Sequence, residues 1–276
     1  MEDTEPTGAG PSGHEIVLHG GRANAGNVVR IGDEVARPAH PQTPFVEHFL
    51  HHLRAKGLEI VPEPLGTDER ARQRLSFIEG AAPTSPYPEW AFDHELLIDV
   101  ATQQRRLHIA ARDYVPPRDA RWAVTAGDYF PPGSAGALFC HNDLCMSNVI
   151  VDVDRRRVCG FVDFDYVAPV DRRFDIAVLA RHWVPFGDPD GAELTEIDRV
   201  PRFAAIAEVH ELDHDTRHAV LDLSIDFLEH ARRNVRSLAD GGNEGFRRMI
   251  EAGYESTNLA TVQWVHDHRR EMVDRT

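Results

Sequence analysis

Five polar side chains within a stretch of 25 residues have the types and the spacing that phosphoryl transfer requires. They are His141, Asp143, Asn148, Asp163 and Asp165. Such a reaction needs a carboxylate that accepts a hydroxyl proton and aims the oxygen at the γ-phosphate. It also needs oxygen ligands for Mg²⁺, the ion that bridges the phosphates. The pattern therefore predicts Asp143 as the catalytic residue, and Asn148 and Asp163 as ligands of one magnesium ion.

The segments around these residues indicate how the fold positions them. Apolar runs typical of short strands cover 138–140, 149–153 and 158–162, and polar residues follow the first and the last of these runs. A loop between two strands would bring Asn148 and Asp163 to one metal ion. The same loop would leave Asp143 facing the acceptor of the phosphoryl group.

The remaining hydrophobic pattern divides the chain into a β-rich first part and a mainly helical second part. Residues 1–13 are rich in Gly, Pro and acids, which is typical of a disordered tail. The part over 14–80 is predicted to contain strands at 16–18, 28–31, 35–36, 58–61 and 75–78, and one helix at 45–56 with Thr43 as its N-cap. The part over 81–276 is predicted to contain helices at 93–112, 174–183, 196–210, 213–239 and 243–269.

Two segments carry a resemblance to a known family. The run HNDLCMSN over 141–148 resembles the H-x-D-x-x-x-x-N catalytic loop of the aminoglycoside phosphotransferase family, a relative of the protein kinases. The run GFVDFDYVAPVDRRFDIA over 160–177 resembles the family's metal-binding strand and the D-x-x-x-D-[LI]-A helix start that follows it. The resemblance implies a bilobal α+β fold, with a small antiparallel-sheet lobe at 14–80 and a larger helical lobe at 81–276.

The resemblance also implies a role for each residue of the two segments. Asp143 would be the catalytic base, Asn148 and Asp163 would bind Mg²⁺, and His141 would brace the catalytic loop. Asp175, at the start of the next helix, would hydrogen-bond that loop. Two interpretations of Asp165 stay open, namely contact with a second metal ion and a solvated or capping role.

The resemblance is weaker in the part expected to bind the nucleotide. Kinase-like folds place a lysine on the third strand and pair it with a glutamate on the helix. Here Arg37 occupies the lysine position, and Lys56, the only lysine, lies at the far end of the helix. Arginine keeps the charge and can grip a phosphate through two donors. Glu47 is the expected helix partner of Arg37, and a solvated helix face is the alternative for this glutamate.

Two further segments are expected to contact ATP or GTP. Gly20 and Gly21 lie in the loop between the first two strands, which resembles a phosphate-covering loop, although a plain hairpin turn explains it as well. The backbone of Phe77, Ile78 and Glu79 would meet the nucleotide base at a hinge between the lobes. Phe77 and Ile78 would otherwise belong to the core.

Composition limits the classes of partner. The 276 residues include 30 basic and 45 acidic side chains, a formal net charge of −15. This charge argues against nucleic acid and against an anionic membrane surface as partners, and it favours a cationic substrate. Three cysteines cannot form a disulfide framework, and no apolar run approaches the length of a membrane span. We therefore expect a cytoplasmic protein.

One cluster of histidines could be interpreted as a metal site, but the surrounding sequence does not favour that interpretation. His48, His51 and His52 lie on the predicted helix, and two of them have the spacing of some zinc sites. The helix lacks the intervening glutamate of such sites, and no third ligand follows. An exposed polar face is the preferred interpretation.

Taken together, the residues predict Mg²⁺-dependent transfer of a nucleotide γ-phosphate, from ATP or GTP, to a hydroxyl group of a small molecule. Antibiotic resistance and biosynthesis are both compatible settings. One alternative is a kinase of a peptide or natural-product hydroxyl in a biosynthetic pathway. Another is a catalytically silent pseudokinase that acts as a binding or immunity protein towards a protein or peptide partner.

Overall fold

The computed structural model describes residues 14–18, 27–84, 86–125, 127–186 and 199–275. The predicted tail, the loop with Gly20 and Gly21, and the start of the helix predicted at 196–210 lie outside the described residues.

The first part of the chain forms a five-stranded antiparallel sheet and one helix. The strands are β1 (Ile16–Val17), β2 (Val29–Ile31), β3 (Glu34–Pro38), β4 (Pro64–Thr67) and β5 (Arg72–Ser76), and the helix is α1 (Thr43–Ala55). Their order in the sheet is β1-β2-β3-β5-β4, and Arg37 of β3 lies opposite Gln73 of β5. Helix α1 buries Val46, Phe49 and Leu53, the spacing of one helical face.

The strand predicted at 58–61 is wrong, because this segment begins in the turn that terminates α1 and forms no strand. Gly57 has a φ of +80°. Its N–H donates to the carbonyl of Arg54, and the N–H of Leu58 donates to the carbonyl of Leu53. These paired hydrogen bonds form a Schellman motif, in which a glycine in the left-handed region ends a helix. Leu58 is therefore buried beside the helix rather than in a strand ladder.

The predicted N-cap of α1 is also wrong. The hydroxyl of Thr43 accepts a hydrogen bond from the N–H of His40 at 2.8 Å, so it points back along the chain. Thr43 is the first helical residue, and Gln42 takes the N-cap position.

The rest of the described chain contains two pairs of antiparallel strands, of which β7–β8 is a hairpin, and six α-helices. The strands are β6 (Ala135–Cys140), β7 (Val149–Asp152), β8 (Arg157–Phe161) and β9 (Ala168–Val170), with β6 paired to β9 and β7 paired to β8. The helices are α2 (His94–Ala110), α3 (Arg172–Trp183), α4 (Arg199–Val209), α5 (His214–Asp240), α6 (Glu244–Glu251) and α7 (Tyr254–Asp274). The single helix predicted at 243–269 is thus two helices, because Gly253, with a φ of +91°, redirects the chain between α6 and α7.

One continuous apolar core joins the five-stranded sheet, α1, the β6–β9 and β7–β8 strand pairs and the C-terminal helices. Phe49, Phe161, Phe174 and Trp183 are fully buried in this core. Burial of such a side chain stabilises the fold by roughly 1.5–3 kcal/mol. The two predicted lobes therefore share their core, and the boundary at residue 80 stays a prediction. Within the described residues, no helix combines the length and the apolar character needed to cross a bilayer.

The β7–β8 hairpin is attached to the first part of the chain by backbone hydrogen bonds. Ala81 and Val151 exchange two bonds of 2.9 Å, and the N–H of Phe161 donates to the carbonyl of Ile60 at 2.7 Å. This close approach requires a residue without a side chain. A Cβ atom at Gly160 would lie 2.9 Å from the carbonyl oxygen of Ile60 and 2.5 Å from Cδ1 of Ile78.

We expect Gly160→Ala to lower the free energy of unfolding by about 1–3 kcal/mol, the range of overpacking substitutions. Gly133→Ala is the matched control, because the nearest atoms to a Cβ there lie 3.9 Å away. Urea denaturation of both variants measures the difference. Equal stability of the two variants would show that the hairpin does not need this contact distance.

Candidate active site

The loop between β6 and β7 carries the first group of predicted site residues, and a buried histidine fixes its shape. His141 is fully buried. Its Nε2 lies 2.9 Å from the carbonyl oxygen of Val162, and its Nδ1 lies 3.3 Å from the backbone nitrogen of Asp143. Since the carbonyl can only accept, Nε2 carries the proton and Nδ1 accepts from Asp143. Burial lowers the pKa of His141, which favours this neutral form. His141 thus braces the loop and is a positioning residue.

The next residue holds the loop in a conformation that few side chains adopt. Asn142 has a φ of +63°, in the left-handed region where asparagine is tolerated better than most residues. Its side-chain amide donates to the carbonyls of Cys140 and Tyr166 at 3.1 and 3.0 Å. Its backbone N–H donates to Oδ1 of Asp175 at 2.6 Å. The predicted hydrogen bond from Asp175 to the catalytic loop is therefore confirmed.

Asp175 is itself held by two residues of α2. The carboxylate is fully buried, and its Oδ2 lies 2.7 Å from both Nε2 of His108 and Nε2 of Gln104. Burial alone would raise the pKa of Asp175, but the bonds from His108 and from the Asn142 amide outweigh it and lower this pKa. An ionised carboxylate with a full set of donors anchors the loop to α2.

Asn148 connects the predicted catalytic residue to the predicted metal site. Its side-chain nitrogen donates to the backbone carbonyl of Asp143 at 2.8 Å and to Oδ2 of Asp143 at 3.0 Å. The amide oxygen of Asn148 is therefore the atom available to a cation. Burial, and then the charge of Asp163, raise the pKa of Asp143 to about 7, although the bond from Asn148 opposes the rise.

The β7–β8 hairpin places Asp163 next to this loop. The N–H of Val162 donates to the carbonyl of Asn148 at 2.9 Å. Asp163 follows directly, and its φ of +62° turns the chain into a short 3₁₀ turn over Phe164–Tyr166. Burial raises the pKa of Asp163, while the nearby Arg37 lowers it without cancelling the rise.

Arg37 reaches this group of acids from β3. Its guanidinium lies 3.3 Å from Oδ1 of Asp163 and forms a second ion pair with Asp165. Only 7% of Arg37 is exposed, and its Nε has no hydrogen-bond partner. The sequence did not indicate the pair with Asp165, which differs from both interpretations left open for this residue.

Asn148 and Asp163 offer the oxygen donors from which a divalent-cation site could be built. Among the described residues, the carboxylates of Asp143, Asp163 and Asp165 do not converge on one point, and Arg37 pairs with two of them. Burial is the largest cause of the raised pKa values of Asp143 and Asp163, and the charges of neighbouring carboxylates add to it. Among the described residues, Oδ2 of Asp163 has no hydrogen-bond partner. The oxygens of Asn148 and Asp163 are ligands of the kind that Mg²⁺ prefers.

A cleft of about 350 Å³ opens beside this group, between the sheet and the β7–β8 hairpin. Most of its lining is apolar, including Val35, Leu75, Phe77, Ile78 and Ile150. Three predicted polar residues, Arg37, Asn148 and Asp163, line one end, whereas Asp143 is not a lining residue. An apolar cleft with charged groups at one end suits a flat base joined to phosphates.

The predicted pair between Glu47 and Arg37 is wrong. Glu47 accepts a hydrogen bond from the side chain of Gln73 at 3.1 Å, and the ion pairs of Arg37 are with Asp163 and Asp165. Gln73 lies directly opposite Arg37 in the sheet, and it is Gln73 that meets Glu47. The sequence pattern could not show which strand neighbour faces α1.

The predicted hinge is only partly in the cleft. Phe77 and Ile78 line it, but Glu79 does not and instead pairs with Arg30 at 2.5 Å. The backbone N–H of Phe77 donates to the carbonyl of Asp33 at 2.8 Å, so this donor is not available to a nucleotide base.

The histidines of α1 have ordinary partners. Nδ1 of His48 lies 3.1 Å from the hydroxyl of Tyr114, and Nε2 of His52 lies 3.0 Å from the carbonyl of Ala110. His51 is exposed. These contacts dock α1 on the last residue of α2 and on the segment that follows it.

Comparisons with known proteins agree with this geometry. The model of the phosphotransferase enzyme family matches residues 130–212, which include the catalytic loop and Asp163. The chain is 30% identical over 229 residues to the trifolitoxin immunity protein of Rhizobium leguminosarum bv. trifolii, covering 78% of this chain and 81% of that protein. It is 28% identical over 146 residues to an aminoglycoside 3'-phosphotransferase of Streptomyces fradiae, covering 48% of this chain and 54% of that one.

A solved structure shows the same fold. A choline/ethanolamine kinase family protein from Mesorhizobium loti superposes with a TM-score of 0.55 at 19% identity, over 92% of this chain and 94% of that chain. The fold is therefore the bilobal, protein-kinase-like α+β fold expected from the two motifs. The chain belongs to the phosphotransferase enzyme family and is a kinase-like phosphotransferase.

Proposed function

We propose that this protein transfers the γ-phosphate of Mg²⁺-bound ATP or GTP to a hydroxyl group of a small molecule. The proposal rests on one observation, the position of Asn148. Its amide nitrogen holds Asp143, while the residue lines the same end of the cleft as Asp163 and Arg37. A proton-accepting carboxylate therefore lies directly beside the residues that can hold a metal ion and phosphates.

Each side chain has a distinct part in this proposal. Asp143 accepts the proton of the acceptor hydroxyl and orients its oxygen. Asn148 and Asp163 hold Mg²⁺, which when bound neutralises charge on the phosphates. Arg37 is buried at the phosphate end of the cleft and grips an oxygen of the nucleotide. His141 and Asp175 keep the loop in place and touch neither substrate.

The acceptor class follows from charge. A formal charge of −15 favours a cationic small molecule over an anionic one. One relative is named for an aminoglycoside, a polycationic sugar, and this supports the same choice. The use of ATP or GTP is in keeping with a cytoplasmic protein. The three cysteines are free thiols, which is the usual state of cysteine in that compartment.

The direct experiment incubates the purified chain with ATP or GTP, with and without Mg²⁺, and with a panel of hydroxyl acceptors. The panel contains aminoglycosides, ethanolamine, choline, homoserine and a serine-containing peptide. Phosphorus NMR detects the new phosphate ester. Transfer to a cationic acceptor only in the presence of Mg²⁺ is the expected result, and transfer to the peptide alone would favour the peptide-kinase alternative.

We expect Asp143→Asn to reduce turnover by about 10²–10⁴-fold, the usual contribution of a general base. Nucleotide affinity should stay unchanged, because Asp143 does not line the cleft. Asp154→Asn, an exposed residue in the turn of the β7–β8 hairpin, is the control for loss of one carboxylate. Full turnover in the Asp143 variant would remove this residue from the mechanism.

We expect Asp163→Asn to abolish the Mg²⁺-dependent part of nucleotide binding. The amide keeps the shape of the side chain but loses the charge that attracts the cation. Calorimetry with and without Mg²⁺ measures the effect in the variant and in the parent chain. If Mg²⁺ raises the nucleotide affinity of the variant as much as that of the parent chain, Asp163 is not a ligand of the metal ion.

A second candidate function, a catalytically silent binding or immunity protein, is favoured by the ion pairs of Arg37. This guanidinium already occupies Asp163 and Asp165, the carboxylates that a metal ion would approach. The 30% identity to a protein named for immunity to trifolitoxin supports the same candidate. In that case nucleotide would bind without transfer, and the ligand of functional importance would be a peptide.

Arg37→Gln tests whether this arginine contacts the nucleotide phosphates. We expect nucleotide affinity to fall by at least about tenfold, because a charge-assisted contact to phosphate is lost. Arg74→Gln is the control, since Arg74 pairs with Glu34 on the same sheet outside the cleft. Equal nucleotide affinity in both variants would mean that another residue binds the phosphates. Turnover of the parent chain, measured in the acceptor panel, separates the enzyme from the silent protein.

A further inference from the structure

A second cavity lies behind the catalytic loop, away from the cleft. It has a volume of about 180 Å³ and is formed by α2, the end of β6, the start of α3 and the residues after α4. Its polar lining consists of five basic side chains and one acid: Arg105, His108, Arg112, Arg172, His210 and Glu211. None of these residues lines the cleft.

The arginines give this cavity a positive charge. Its single lining acid, Glu211, lies 2.6 Å from Arg105, so these two charges compensate each other. In the described part of the chain, neither Arg112 nor Arg172 has a carboxylate within ion-pair distance. Two guanidinium groups without an acidic partner therefore face one small space.

An independent observation marks the cavity as a place for a ligand. His210 is only 1% exposed, yet neither of its ring nitrogens has a hydrogen-bond partner. The same is true of Nδ1 of His108, whose ring centre lies 5.7 Å from that of His210. Buried polar atoms normally have a partner, because leaving them without one is unfavourable. Both histidines line the cavity, so a bound group could supply the missing partners.

We propose that this cavity binds a small oxyanion of the phosphate type, either inorganic phosphate or a compact phosphate monoester. Arginine provides donors in a fork that matches phosphate oxygens. The lining residues Arg112, Arg172 and His210 all have N–H donors that a tetrahedral anion could accept from. The small volume excludes a nucleotide.

Occupation of the cavity would reach the loop that carries Asp143 through two hydrogen bonds already described. His108 lines the cavity and bonds Asp175, and Asp175 accepts from the N–H of Asn142. Asn142 is the residue before Asp143. Because Nε2 of a neutral His108 donates to Asp175, its Nδ1 is an acceptor. A hydrogen phosphate whose hydroxyl donates to this Nδ1 would therefore also stabilise the loop that carries Asp143.

Calorimetric titration with inorganic phosphate tests the site. The parent chain and Arg106→Gln should bind phosphate equally. Arg106 is an exposed arginine of α2 that bonds Gln103 and does not line the cavity, and it is therefore the matched control. Arg112→Gln and Arg172→Gln should each weaken binding by at least about tenfold, because each removes a charge-assisted contact. Equal affinity in all four proteins would overturn the proposal.

A further variant and a further measurement exclude the cleft as the source of the signal. Phosphate binding should persist in Arg37→Gln, and its loss there would assign the anion to the nucleotide cleft and overturn the second site. Hydrogen exchange at the Asn142 amide should slow when phosphate is bound. Unchanged exchange at saturating phosphate would disprove the connection to the loop. None of these measurements uses phosphoryl transfer, so their outcome does not depend on whether the proposed activity is correct.

Discussion

The hydrogen bond from the Asn142 amide to the buried carboxylate of Asp175 holds the active-site loop in place. Asn142 must stay in the left-handed region for His141 to point inward and Asp143 outward. That conformation is unfavourable for an asparagine unless its backbone and side chain are both bonded, and here they are. Asp175 can offer its oxygen to the loop because hydrogen bonds from His108 and Gln104 stabilise its buried carboxylate inside the core. Removal of any member would leave a buried polar group without its partner.

A second constraint is the concentration of negative charge at the mouth of the cleft. Asp143, Asp163 and Asp165 repel one another, and Arg37 relieves only part of that repulsion. A protein selected for stability alone would not collect these carboxylates around one arginine. Functional sites often lower the stability of the fold locally in this way. Burial of residues such as Phe161 and Trp183 in the remaining core offsets that loss of stability.

Much of the fold and the central residues of the site could be predicted from the sequence, because each had a local pattern. The spacing of Asp143, Asn148 and Asp163 indicated a shared site, and the chain does bring them together. Asp175 followed from the motif at the start of its helix. The break between α6 and α7 was missed because the helical period continues on both sides of Gly253.

The long-range pairs could not be predicted, because nothing in a local pattern shows them. Gln73 rather than Arg37 meets Glu47, since strand register places it there. The pair of Arg37 with Asp165 joins residues 128 positions apart. The hydrogen bonds of Asp175 with α2 could likewise not be predicted. A histidine and a glutamine in a helix give no indication in the sequence of which residue they contact. Only the unusual backbone of Asn142 had a recognisable cue, namely the tolerance of asparagine for positive φ.

The β7–β8 hairpin has a consequence for how sequences of this kind can diverge. Asn148 precedes its first strand and Asp163 follows its second, and the register pairs Val149 with Phe161. The distance between the two residues is therefore set by strand pairing and not by the length of chain between them. Insertions at the exposed tip, around Asp154 and Arg155, leave that distance unchanged. A single insertion or deletion within either arm would shift the register and turn one of the two side chains to the opposite face.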